Sequence, residues 1–132
     1  MNIILKMPAK RVADILTTAI CSGYSRYWCS GVGLATKNGM LPKEPKAGHY
    51  WYEDASLFDG FSTFTITVIE TEGTVTGRPK THRLSRESFE KGIARMAMKN
   101  GDHFGQWMKG NEDGPCADVF LQYVALGEVR YG

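Results

Sequence analysis

The chain has 132 residues, 42% of them hydrophobic and 23% charged, which places it with ordinary globular proteins and outside the disordered and fibrous classes. Its 16 Lys and Arg against 14 Asp and Glu leave a net charge of +2, too balanced for a duplex-DNA binder and far from the negative surface of a DNA mimic. A chain of this size buries enough surface for one core to carry the fold, so a single domain over residues 1–132 is expected.

Residues 2–7 read as a short strand, and Pro8 suits a first helical turn, which has no use for the missing N–H. Within 8–22, Val12, Ile15, Leu16, Ala19 and Ile20 recur at helical spacing, with Lys10, Arg11 and Asp14 on the opposite face. Gly23 is a candidate cap, yet Tyr24, Tyr27 and Trp28 continue the stripe from Ile20, which favours a helix running on to Trp28. From Ser30 to Gly48 nothing alternates, and four glycines and two prolines give the reading of a long loop. His49-Tyr50-Trp51-Tyr52-Glu53 is an aromatic run suited to an edge strand or a docking patch.

Phe64, Ile66 and Val68 alternate with Thr63, Thr65 and Thr67, a period of two built from β-formers. Thr74–Thr76 and Thr81–Leu84 then read as returning strands of an antiparallel meander. Ser85 is an N-cap for a helix over 86–100 carrying Phe89, Ile93, Met96 and Ala97, ended by Asn100-Gly101, and Gly92 inside it marks close packing against another backbone. His103–Lys109 is a short helix or turn, and 110–115 a polar loop. Cys116–Leu126 is a helix buried on several sides, Gly127 its end, and Glu128–Tyr131 a closing strand. The fold class is therefore α+β: an antiparallel β-sheet with two to three helices packed on it, in one small domain.

Cys21, Cys29 and Cys116 form no CxxC pair, which argues against a disulfide framework or a zinc knuckle and fits a reducing cytosol. The N-terminus lacks a signal-peptide core, and no window approaches the ~20 apolar residues of a membrane helix, so a soluble intracellular protein without a membrane partner is expected. No Walker A loop, dinucleotide fingerprint, nucleophile elbow or HExxH is present. His49, His82 and His103 lie far apart, and Asp102-His103 beside Glu112 and Asp113 is an acid–base grouping of a kind that arises by chance. The expectation is a protein that is not an enzyme and uses no cofactor or metal.

Asp118 and Gln122 are the informative polar residues. Four apart on an apolar helix, they share a face, and a buried carboxylate is costly unless hydrogen-bonded or paired. Two readings stand: Asp118 braces the helix start, or both residues line a polar pocket. Arg95, beside the apolar stripe of 86–100, is either a solvated residue with a buried stem or a fork donor for phosphate or for Asp118. Arg26 adjoins Tyr27 and Trp28, and flat rings beside a guanidinium suit a nucleobase with its phosphate, stacking being worth roughly 1–3 kcal/mol per base. The near-zero charge favours a small nucleotide over polymeric nucleic acid.

Ala117-Asp118-Val119-Phe120-Leu121-Gln122, followed by Leu126-Gly127-Glu128 and Tyr131-Gly132, resembles the closing signature of a widespread group of small phage and prophage proteins. Gly23 through Tyr27-Trp28, the helix before it, and Trp51-Tyr52-Glu53 are similar to the same group's N-terminal part. Within that group the chain resembles the Thoeris anti-defence protein 1 family. The resemblance implies a homo-oligomer, dimer or hexamer, in the cytoplasm of the infected bacterial host. It also implies a sponge that sequesters glycocyclic ADP-ribose isomers, with cyclic trinucleotides of CBASS immunity as further ligands, and does not cleave them. Arg26 stands where relatives often carry Asn, Gly114-Pro115-Cys116 replaces a more polar approach to the Asp, and Leu126 replaces an aromatic residue. Asp118 is the ligand residue that the matching motif implies; Arg86, Phe89, Arg95 and Asn111 join Arg26, Tyr27, Trp28 and Gln122 as candidates on position and chemistry. The alternative is a phage inhibitor or accessory protein acting through protein–protein contacts.

Overall fold

Pro8, in extended conformation, leads into α1 (Ala9–Cys21), whose Val12, Ala13, Ile15, Leu16 and Ala19 are buried as their spacing requires. Lys10 and Asp14 pair on the outer face at 2.9 Å. This computed structural model describes residues 7–36, 50–53, 55–58, 64–72 and 77–132.

The helix does not continue to Trp28. Gly23 takes a left-handed backbone (φ +67°), which ends the α-helical ladder, and the chain re-forms as a 3-10 turn over Tyr24–Tyr27. That tighter winding eclipses residues three apart, so the aromatic spacing that mimics a helical stripe puts Tyr24 and Tyr27 outside, while Ser25 and Trp28 turn inward.

The expected loop from Ser30 begins as a strand instead. Strand β1 (Cys29–Thr36) pairs antiparallel with β2 (Phe64–Glu70), which pairs antiparallel with β3 (Lys80–Leu84), in the order β1-β2-β3. Gly31 and Gly33 interrupt the alternation by which a strand is read. On β2 and β3, Ile66, Val68 and Leu84 are buried, matching the expected core face, and Val32, Val68 and His82 share one cross-strand row. Trp51–Glu53 forms a 3-10 turn against α1, and not an edge strand. Residues 2–6, 37–49 and 73–76, which hold most of the first expected strand, the rest of the loop, His49 and Thr74–Thr76, lie outside the described residues; Met7 is in no strand.

Helix α2 (Arg86–Lys99) starts on a reciprocal capping box, with Ser85 and Ser88 each bonding the other's backbone N–H. Asn100 ends it and leads directly into α3 (Gly101–Met108). Asp113, whose Oδ1 accepts from Cys116 N at 2.9 Å, caps α4 (Gly114–Leu126), so that helix takes in the end of the expected polar loop. A Cβ at Gly92 would lie 2.6 Å from Val124 Cα, so α2 and α4 cross at backbone contact, as the glycine predicts. Residues 128–131 form no strand; they run back along α4 as an irregular tail.

Among the described residues the result is a small α+β unit, a three-stranded antiparallel sheet with helices packed around α4. The core joins α1, β2, α2 and α4 through Ile15, Leu16, Trp28, Ile66, Met96, Trp107 and Phe120. No helix of the described residues is long and apolar enough to cross a membrane.

Candidate functional site

Asp118 is 4% exposed and lies in the second turn of α4. Its Oδ1 accepts from Ser25 Oγ and from Trp28 Nε1, both at 2.7 Å, and its Oδ2 accepts from Tyr27 OH at 2.6 Å and Gln122 Nε2 at 3.1 Å. Three of these four donors come from the turn that Gly23 creates. The kink that breaks α1 is thus what brings Ser25, Tyr27 and Trp28 onto one carboxylate. With two donors on each oxygen, the carboxylate's hydrogen bonds are met by neutral groups and no cation.

Gln122, fully buried, extends the network to the tail. Its Oε1 accepts from the backbone N–H groups of Arg130 and Tyr131, both at 2.9 Å, and its Nε2 donates to Tyr131 O at 3.1 Å. The Tyr131 ring then stacks on Trp28, centroids 5.7 Å apart and planes within 9°. Its hydroxyl donates to Glu70 Oε2 at 2.6 Å and also contacts the carbonyl of Glu72. Glu70 is itself buried on the sheet's inner face and meets His82 Nε2 through Oε1 at 2.9 Å. Burial opposes its charge, but the hydrogen bonds from Tyr131 and His82, with the charges of His82 and Arg130, hold its carboxyl below the usual range.

Turn, tail and the start of α4 enclose an open cleft of about 540 Å³. Tyr24, Tyr27 and Tyr131 supply its rings, Pro115, Val119 and Val129 its apolar wall, and Asn100 and His103 its polar end. Tyr24 meets Tyr27 edge to face, as Tyr27 meets Tyr131, at 6.4 Å in each case. His103 Nδ1 is 2.8 Å from Asn100 Oδ1, an acceptor, so this nitrogen carries the proton.

The phenols are held neutral. Burial, then the hydrogen bond to Asp118, pushes Tyr27 far above its ordinary value, and burial with Glu70 pushes Tyr131 up to about 12. Burial likewise raises the Cys29 thiol, and burial with the charges of Asp113 and Glu112 takes Cys116 to about 11. None of these four groups is an activated nucleophile. Among the described residues, no group of three or more His, Cys, Asp or Glu side chains is placed to hold a metal.

Of the residues singled out from sequence, Tyr27, Trp28, Asp118 and Gln122 come together here; Tyr27 and Asp118 line the cleft, whereas Trp28 and Gln122 lie buried behind it. Arg26 lines a smaller groove of about 160 Å³ with Ser30 and Val32. Arg86 pairs with Glu90 at 3.0 Å, and Phe89, 2% exposed, packs on Phe120 in the core. Asn111 is exposed, its carbonyl accepting from Gln106. Arg95 does not reach Asp118: its Nη1 donates to Gly127 O at 3.3 Å, at the far end of α4, about 13 Å along the helix. The sequence reading groups Tyr24 with Tyr27 and Trp28 without making it a candidate ligand residue, passes over Tyr131 as a cleft ring and takes His103 for a chance grouping. The only sequence signal for Tyr131 is its place in the closing motif.

Compared with protein-family models, curated proteins and solved structures, the chain matches none.

Proposed function

We propose that this protein is a binding protein that takes up a small nucleotide in the tyrosine cleft and holds it intact. The supporting observation is the cleft itself: three tyrosine rings, two of them fixed by hydrogen bonds to the buried carboxylates of Asp118 and Glu70, around a space within the usual range of small-molecule sites, roughly 300–1,000 Å³. Flat rings so fixed stack a heterocycle at low ordering cost. The resemblance supplies the class of ligand and the role, an anti-defence sponge for glycocyclic ADP-ribose isomers and further cyclic nucleotides in the host cytoplasm. Inhibition by mass action then needs tight binding; nanomolar affinity corresponds to about −12 kcal/mol. The small domain leaves the cleft open, so a homo-oligomer, dimer or hexamer, belongs to the proposal as the means of closing it.

Protein incubated with TIR-generated glycocyclic ADP-ribose, filtered and then heated is expected to release the intact nucleotide. Release of nothing, or of a cleaved product, refutes the sponge.

A second reading, contact with another protein, is favoured by one feature: Tyr24, Tyr27 and Val129 are 50%, 43% and 43% exposed, all at the cleft. The two readings part in a thermal-shift assay. A nucleotide at a hundred times its Kd stabilises the binding protein by about 2.7 kcal/mol and leaves a pure protein-contact surface unchanged.

A further inference from the structure

We propose that the cleft reads the base of its ligand, through His103, and leaves the phosphates outside. This inference rests on the nucleotide-binding reading above. Lysine and arginine are absent from the described residues that line the cleft, so nothing there neutralises a phosphate. The one side-chain carboxylate among the described residues of its wall, Asp118, already accepts four hydrogen bonds.

His103 supplies a directional group. It sits in α3, one turn after Asn100, and its Nδ1–H is committed to Asn100 Oδ1 at 2.8 Å. That bond fixes the tautomer and leaves Nε2 as a hydrogen-bond acceptor with no partner among the described residues. Tyr27 offers no donor to compete, because its O–H is spent on Asp118, and its oxygen already accepts from Gln122 Nε2 at 3.4 Å. A base stacked on an open face of one of these tyrosines is therefore met at its edge by an acceptor. The matching ligand is a base with an exocyclic amino group, which donates N–H to His103 Nε2.

Two pairs of probes test this in equilibrium dialysis against the whole chain: adenosine with purine riboside, and cytidine with its counterpart lacking the amino group. In at least one pair the amino nucleoside is expected to bind about tenfold more tightly, the worth of one satisfied hydrogen bond in a partly buried site. The affinity of the corresponding 5′-nucleotide is expected to be close to that of the nucleoside and nearly the same at low and high salt, since no phosphate is neutralised. His103→Phe, which keeps a ring but has no Nε2, is expected to erase the preference. The ¹⁵N resonance of His103 Nε2 in the unaltered protein is expected to shift with the amino nucleoside and not with its counterpart, which keeps the test independent of how the variant folds.

Equal binding within both pairs, a preference that survives His103→Phe, or an unmoved Nε2 resonance overturns the base-reading role while nucleotide binding stands. If nucleosides fail to bind but the nucleotides bind with a steep salt dependence, the phosphate leads recognition and this inference is wrong. If neither nucleosides nor nucleotides bind, the nucleotide-binding reading itself falls.

Discussion

Asp118→Asn separates a carboxylate that braces the fold from one reserved for a ligand. Asparagine keeps the shape and one oxygen, which still accepts from Ser25 and Trp28, each at 2.7 Å. Those two bonds change from charge-assisted to neutral, a loss of about 1 kcal/mol each. The new amide N–H₂ then faces Tyr27 OH and Gln122 Nε2, formerly at 2.6 and 3.1 Å. Tyr27 can rotate its hydroxyl to accept. Gln122 cannot turn over, because its Oε1 holds the N–H groups of Arg130 and Tyr131 and its Nε2 the carbonyl of Tyr131. One buried donor is left facing another, at about 1–3 kcal/mol. Removing a buried charge offsets part of the total, leaving a net loss of about 2–4 kcal/mol. Urea unfolding without nucleotide measures it: the midpoint is expected to fall with the slope unchanged. Stability within about 0.5 kcal/mol of the parent, with nucleotide binding gone, would refute the brace.

Gly92→Ala is expected to lower stability by about 1–2 kcal/mol despite the better helix former, because the added carbon lands 2.6 Å from Val124 Cα and the overpacking outweighs the ~1 kcal/mol of propensity; a raised Tm would show that α2 and α4 do not cross so closely. Tyr131 titrates at about 12 in the fold and near 10 when unfolded, so stability is expected to fall from about pH 10 upward as the unfolded chain sheds a proton that the fold retains. Tyr131→Phe should flatten that alkaline fall in part, the shares of Tyr27, Tyr52, Cys29 and Cys116 remaining; an unchanged curve refutes the assignment. Glu70, held below the usual carboxylate range, stabilises the fold above that range and loses its contribution as pH falls through its folded value. Acid unfolding followed by circular dichroism should therefore be less pH-dependent in Glu70→Gln, and an equal dependence would exclude Glu70 as the acid-sensitive group.

Local signals were legible wherever one segment carried the whole message. Ser85 announces α2, the Ile66–Val68 alternation announces β2, and Gly92 announces a close crossing, because cap, period and missing side chain are each written within a few residues. Strand β1 was not legible, since Gly31 and Gly33 contribute no side chain to alternate. The break at Gly23 was legible only as one of two readings, because residues three apart, as Tyr24 and Tyr27 are, satisfy a 3-10 turn and an α-helix alike. The site divides the same way. Asp118 and Gln122 stand out as polar residues on an apolar helix, but their partners in the turn lie some 90 positions earlier, where only tertiary structure can join them. Arg86 and Arg95 flank the right stripe; whether an arginine beside a stripe faces a ligand, a glutamate or a helix end is decided by what packs there, here Glu90 and Gly127.

The walls of the cleft are built from segments that are weak on their own: a single 3-10 turn and a tail without regular structure. Both are tied to two side chains of α4, Asp118 and Gln122, and the tail also to Glu70 of β2 and the ring of Trp28. Helix α4 is fixed from its other side by the backbone contact of Val124 with Gly92. The positions of Tyr27 and Tyr131 are therefore set by the packing of a core helix and not by the loops that carry them. Rings held in this way have little freedom left to lose on stacking, and so more of any stacking energy remains as affinity. The proposed sponge gains from that arrangement, because each of its molecules must keep what it captures.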